Sequence, residues 1–211
     1  MRKWIDISQP LDGTIGHWPG DTPFKYETAF TKQQTGSVNI GRITTSLHTG
    51  THVDAPFHFD NEGAKIIDLD IEVFIGPARV IDVCSFSKID QKVLETFDLD
   101  GVERLLMKTS IPNNPQLFPE TIPELDASIA AYLGEMGVLL LGVDIPSVDP
   151  LDSKSMETHH ALHRNGIHIL ENIMLDSVEE GDYELIALPL PLKDADGSPV
   201  RACIRKLEGV T

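Results

Sequence analysis

The sequence predicts an α/β or α+β fold, and three features point there. Short runs of alternating or wholly apolar residues, bounded by glycine or proline, recur along the chain. The run Val138-Leu139-Leu140-Leu141-Gly142-Val143 is continuously apolar, as in a central strand covered on both faces. Helix character is confined to residues 90–97, 124–136 and 156–164.

Taken in order, Trp4-Ile5-Asp6-Ile7-Ser8 alternates like a strand that Pro10 and Gly13 break. Gly16-His17-Trp18-Pro19-Gly20-Asp21 is loop chemistry, which puts Trp18 outside the regular elements. There it is either a packing residue or a flat wall for an aromatic ligand. Residues 24–32 and 38–47 read as strands around Gln33-Gln34-Thr35-Gly36, a hairpin leading into a histidine-rich strand.

That next stretch runs from His48 to Phe59 and holds three of the chain's eight histidines. His48, His52, Asp54 and His58 share one parity, so on an extended chain they project to one side. Arg42, Thr44 and Ser46 extend the polar parity, while Ile43, Leu47, Val53, Phe57 and Phe59 take the other. A helix would swing Asp54 about 200° from His52. Gly50 and Pro56 also oppose a helix, so the expectation is a bent strand, kinked near Gly50 and ending at Pro56. A solvated strand face is the plain alternative. Imidazole nitrogens with a carboxylate suit zinc or another first-row metal, and an aspartate can bridge two cations.

Beyond the histidines, strands are expected over 78–84 and 102–108, a short helix over 90–97 and a helix over 124–136 with Leu125, Ile129, Tyr132 and Leu133 on one stripe. The central apolar run ends at Asp144-Ile145-Pro146-Ser147, where α/β proteins often place functional groups. Asp144 reads either as a site residue or as a loop carboxylate. A helix from Met156 to Arg164 carries His159, His160 and His163, and Gly166 stops it. A short strand from Ile167 to Glu171 follows, then a buried run at 186–188. Gly197-Ser198-Pro199 is expected to turn the chain into a last strand, Val200 to Lys206.

At 211 residues, with no repeat or linker, the chain suits one domain, 1–211. A net charge of −16 without a Lys/Arg cluster argues against nucleic acid or an anionic membrane as partner. No run approaches the ~20 apolar residues that span a membrane, and the N-terminus lacks an apolar signal region, so cytoplasm is expected. Cys84 and Cys203 follow hydrophobic runs, form no C-x-x-C motif, and read as buried thiols.

The string from His48 matches H-x-G-T-H-x-D-x-P-x-H-F, and on it the chain is identified as resembling the cyclase-like metal-dependent hydrolases. Segments at Trp18–Phe24, Ser147–Ser153, His159-His160, Ile169–Asn172, Asp182–Leu190 and Ser198–Ala202 extend the resemblance over nearly the whole chain and favour the family's formamidase branch. No G-x-S-x-G nucleophile motif is present.

The resemblance implies a swivelling β/β/α-type single domain with a mixed sheet. It implies two zinc ions per subunit, with manganese or iron accepted by the same ligand types. His48, His52 and Asp54 would be completed by a later histidine and by Glu171 of Ile169-Leu170-Glu171-Asn172. A family spacing of twelve residues before the glutamate favours His159, because His160 leaves eleven. His58 would transfer protons, with a third-ligand role as the alternative. Trp18 would border the substrate. The implied activity is hydrolysis of an aromatic formamide, N-formyl-L-kynurenine, to L-kynurenine and formate in tryptophan breakdown. A homodimer or larger assembly is also implied. The competing readings are a hydrolase of another cyclic amide, ester or lactone such as isatin, and a metal-binding module without catalysis.

Overall fold

The computed structural model describes residues 3–207; Met1, Arg2 and residues 208–211 lie outside it. In chain order the strands are β1 (Ile5–Asp6), β2 (Lys25–Phe30), β3 (Ile40–Thr44), β4 (His52–Asp54), β5 (Ile75–Asp82), β6 (Lys88–Ile89) and β7 (Arg104–Lys108). They continue as β8 (Glu124–Leu125), β9 (Leu140–Val143), β10 (His168–Glu171), β11 (Gly181–Ile186), β12 (Gly197–Pro199) and β13 (Cys203–Lys206). The helices are α1 (Lys32–Thr35), α2 (Gln91–Leu94), α3 (Ile129–Glu135) and α4 (Glu157–Arg164).

A nine-stranded sheet runs in the order β1-β13-β11-β5-β7-β9-β10-β4-β12. Its middle strands, β5, β7, β9 and β10, pair parallel. Antiparallel strands flank them on both sides, which makes the sheet mixed, as expected for the class. β9 lies between β7 and β10 and is wholly buried, as its unbroken apolar run predicts. Side chains alternate across it: Leu141 and Val143 pack with Ile129, Leu133 and Leu162 of α3 and α4. Leu140 joins Val80, Leu106, Leu170 and Leu185 on the other face, which Phe74 and the loop residues Ile173 and Leu175 cover. Gly142 is there for space, since a Cβ would stand 2.4 Å from Leu106 Cδ2.

The same alternation positions the functional residues. β4 pairs antiparallel with β10 so that His52 lies opposite Glu171 and Asp54 opposite Ile169. Directly opposed residues project to the same face, so His52, Asp54 and Glu171 share the face where Ile169 packs toward α4. Val53 and Leu170 point into the opposite core.

Several expectations need correction. The bent strand expected to kink near Gly50 and end at Pro56 does so, but it is regular only from His52 to Asp54. Gly50, in the left-handed region at φ 68°, turns the chain before it. Pro56 opens a single 3₁₀ turn, Pro56–His58, whose first helical position suits proline's fixed φ. His48 and His58 therefore reach the site from turns, not from strand parity. The hairpin β2–β3 exists, but it forms its own two-stranded sheet. The Gln33–Gly36 segment between its strands is helical, because Thr31 and Gln34 form a capping box and Gly36 supplies a left-handed cap at φ 77°. Leu125 lies in β8, and α3 begins only at Ile129. Gly197-Ser198-Pro199 is an edge strand on β4 and not a turn; an edge tolerates proline. Cys84 and Cys203 are free and only partly buried.

Candidate metal centre

Four side chains meet beneath the carboxyl end of β10. His52 Nε2 lies 3.3 Å from Asp54 Oδ1 and 3.4 Å from Glu171 Oε2. His159 Nε2, reaching down from α4, lies 3.4 Å from Asp54 Oδ2 and 3.8 Å from Glu171 Oε1. All four residues are buried. Yet His52 Nε2 and Asp54 Oδ2 have no hydrogen-bond partner, because their neighbours are close without being aligned. A buried polar atom left unpaired costs about 1–3 kcal/mol. Two ligand atoms each about 2.0–2.1 Å from a tetrahedral zinc stand about 3.4 Å apart. The cluster has the spacing, the atom types and the unpaired lone pairs that a first-row cation would satisfy.

The surrounding bonds aim those lone pairs inward. His52 Nδ1–H donates to the Gly50 carbonyl at 2.8 Å. His159 Nδ1–H donates to Asp149 Oδ2 at 2.6 Å. In each ring Nε2 is left as the free acceptor, the arrangement by which a partner fixes the tautomer of a ligating histidine. The Val148 amide donates to Glu171 Oε1 at 2.9 Å and orients that carboxylate. Asp149 also accepts the backbone amides of Thr158 and His159, both at 3.0 Å, so one carboxylate caps α4 and holds its histidine.

A second layer opens toward solvent. His48 Nδ1 faces Asp54 Oδ1 at 2.8 Å and its Nε2 faces Asp196 Oδ2 at 3.0 Å. His58 Nδ1 lies 3.4 Å from that same Asp196 oxygen, with its ring centroid 3.9 Å from that of His48. His48, Asp54 and His58 each present a ligand-type atom within 4.8 Å of the others. Asp54 thus directs Oδ1 at His48 and His52 and Oδ2 at His159, a two-sided arrangement.

Charge follows from this geometry. Burial alone would lower His48, His52 and His159, but their carboxylate partners raise His48 to about 9 and His52 and His159 to about 10, against a usual 6.5. Burial would raise Asp54, but the close rings of His159, His48 and His52 hold it well below the usual carboxylate range. Asp196 is likewise lowered, by His48 first and then His58. Cations and protons compete for such a site.

A cavity of about 500 Å³ opens onto the cluster, and Trp18, His48, His58 and His159 are among its lining residues. Trp18 sits on its loop, 37% exposed, edge-on to Phe118 with centroids 5.2 Å apart. Of the adjacent pair, His159 enters the cluster while His160 packs its ring edge on Phe59, centroids 5.3 Å apart. Asp144 is not at the site: it accepts the Thr109 amide with both oxygens, and burial pushes it up to about 7. Sequence reasoning missed Asp149 and Asp196 as partners of the histidines. Asp149 lay inside a segment that carried the resemblance, whereas Asp196 is 138 residues from His58 and carries no local signal.

Residues 5–150 match the family model described as "Putative cyclase", and the chain belongs to that family. Among its relatives, the kynurenine formamidase of Bacillus cytotoxicus is 64% identical over 205 residues, covering 97% of this chain and 98% of that protein. The kynurenine formamidase of Bacillus cereus is 61% identical over the same shares. A solved structure titled a potential metal-dependent hydrolase with cyclase activity superimposes at TM-score 0.84 with 25% identity, covering 99% of this chain and 100% of that one. Isatin hydrolase A from Labrenzia aggregata shares the fold at TM-score 0.80 and 21% identity, over 98% and 94% of the two chains. Among the described residues no helix is long and apolar enough to cross a membrane.

Proposed function

We propose that the chain hydrolyses N-formyl-L-kynurenine to L-kynurenine and formate, using a metal held by His48, His52, Asp54, His159 and Glu171. The observation that carries this is the buried, unpaired His52 Nε2 and Asp54 Oδ2 at ligand spacing beneath an aromatic-walled cavity. The names and high identity of the Bacillus relatives support the substrate. Two zinc ions would be held by His48, His52, Asp54, His159 and Glu171, a donor set of imidazole nitrogens and carboxylate oxygens that suits them. When bound, such an ion lowers the pKa of water and polarises the formyl oxygen.

The chain's own groups do the rest. Asp149, Gly50 and Val148 hold the ligands in place, so the site needs no rearrangement as charge develops. His58, half-exposed at the mouth of the cluster, takes the proton of the attacking water. It returns that proton to the aniline nitrogen as the C–N bond breaks, since an unprotonated anilide leaves poorly. Asp196 orients His58 through Nδ1. Trp18 borders the aromatic ring.

The competing substrate class is the cyclic amide of the isatin hydrolases. Steady-state rates of the zinc-loaded protein on N-formyl-L-kynurenine and on isatin separate the two. Preference for the formamide supports the reading, and preference for isatin rejects it. A closed, non-catalytic metal site fits poorly with a cavity that reaches His48, His52 and His159.

We infer a homodimer from the hairpin. β2 and β3 expose Tyr26 and Ile43, each at 60%, and an isolated two-stranded ribbon is marginally stable in water. Free Cys84 and Cys203 suit a reducing cytoplasm.

A further inference from the structure

We propose that Lys154 and Asp21, at the rim of the cavity, form a subsite for the amino-acid end of the substrate. Lys154 takes an α-carboxylate and Asp21 an α-ammonium, so the pocket selects a zwitterionic aryl formamide. This rests on the formamidase reading of the metal centre.

The argument begins with the charges that line the cavity. Histidines apart, these are Glu171, Asp21 and Lys154. Glu171 belongs to the buried cluster. Among the described residues Lys154 is the lone lysine or arginine on the lining, in a chain of net charge −16. An anionic substrate group approaching such a surface is repelled everywhere except near a local cation. Among the described residues Lys154 makes no salt bridge, so its ammonium is not spent on a neighbour.

Position supports the pairing. Lys154 lies on the loop that leads from Ser147 into α4, next to Ser153, whose hydroxyl accepts the Met156 amide at 3.2 Å. Asp21 closes the Trp18 turn, its amide donating to the Trp18 carbonyl at 3.0 Å. Asp21 Oδ1 accepts the Thr22 amide at 2.6 Å, which leaves Oδ2 to face a ligand. Both residues are exposed, whereas the histidine cluster forms the cavity floor. In N-formyl-L-kynurenine the amino-acid group ends the side chain that leaves the ring beside the formamide. With the formyl carbon on the floor and the ring beside Trp18, that group emerges at the rim. Isatin carries no such group, so the subsite also discriminates against the cyclic amide.

The test uses two substrates on the zinc-loaded full chain. One is N-formyl-L-kynurenine; the other is 2′-formamidoacetophenone, which has the same aryl formamide without the amino acid. An exposed charge pair is worth up to about 1 kcal/mol, or about fivefold. Lys154→Met is therefore expected to raise KM for the zwitterion about fivefold with kcat unchanged, and Lys154→Arg to restore it. Asp21→Asn should act in the same direction. Turnover of the truncated substrate should be equal in all of these proteins. Equal effects on both substrates, or no effect on either, would overturn the subsite. If the unmodified chain hydrolyses only the truncated substrate, the subsite fails while the formamidase chemistry stands. If it hydrolyses neither, the reading of the metal centre fails and the subsite with it.

Discussion

Asp149→Asn is the substitution that most sharply separates a metal site from a merely buried polar cluster. The carboxylate accepts three hydrogen bonds: the His159 ring at 2.6 Å and the backbone amides of Thr158 and His159, each at 3.0 Å. Every partner is a donor. An asparagine amide has one acceptor end, so whichever way it turns, its NH₂ meets a donor. If the NH₂ takes the place of Oδ1 it meets the Thr158 amide, part of the cap of α4 is lost at about 1 kcal/mol, and the ring keeps only a neutral acceptor. If it takes the place of Oδ2 it meets both the His159 amide and the ring, so His159 Nδ1 must become the acceptor and Nε2 acquires the proton. That proton would then point at Asp54 and Glu171, where the metal should sit. Loss of such a supporting carboxylate typically costs 10–100-fold in metal affinity, about 1.4–2.7 kcal/mol. The assay is zinc competition against a chromophoric chelator, with thermal unfolding of chelator-treated protein as the control for folding. The expected result is a 10–100-fold weaker zinc affinity and a Tm only a few degrees lower, at about 2–4 °C per kcal/mol for a chain of this size. Unchanged zinc affinity would refute the claim that His159 Nε2 is a ligand held by Asp149.

Other substitutions test the remaining parts. His58→Ala should retain the metal and lose about 10²–10⁴ in turnover; parallel loss of metal would make His58 a ligand. Asp54→Ala should empty both metal positions by elemental analysis, and retention of two tightly bound ions would reject the bridging carboxylate. His48, His52 and His159 stand at about 9, 10 and 10 against a usual 6.5, so in chelator-stripped protein their protonation stabilises the fold. That contribution is complete below pH ~6.5 and lost as pH rises through 9–10, so the stripped protein should melt lower at pH 10 than at pH 7. A Tm that does not fall over this range contradicts the carboxylate partnership. Gly142→Ala drives a Cβ toward Leu106 and should cost about 1–3 kcal/mol in the sheet core, read by urea unfolding of the zinc-loaded protein.

What was legible in the sequence is what local chemistry encodes. The apolar run at 138–143 identified β9 because a strand buried on both faces has no reason to alternate. The histidine string exposed its metal chemistry because four ligand-type residues within eleven positions are improbable as a solvated face. Parity, however, explained only His52 and Asp54; Gly50 and Pro56 turn the chain on either side. Capping also shaped the connection of the hairpin, since Thr31 and Gln34 satisfy each other's backbone and nucleate a helical turn there. The least legible residues were those whose meaning lies in a distant partner. Gly197-Ser198-Pro199 has turn composition, and only its pairing with β4 makes it a strand. That pairing brings Asp196 against His48 and His58, a contact no spacing announces. Asp144 looked well placed at the end of β9, but the Thr109 amide, not the site, is its partner.

The central claim is that formamide hydrolysis depends on a cation in the His48, His52, Asp54, His159 and Glu171 cluster. The most direct measurement is turnover of N-formyl-L-kynurenine by chelator-stripped protein, before and after zinc is returned. The account predicts negligible turnover when stripped and recovery to an enzyme-like rate as zinc saturates the site. Full activity in stripped protein that elemental analysis shows to be free of metal would contradict it, as would zinc that binds stoichiometrically and restores nothing.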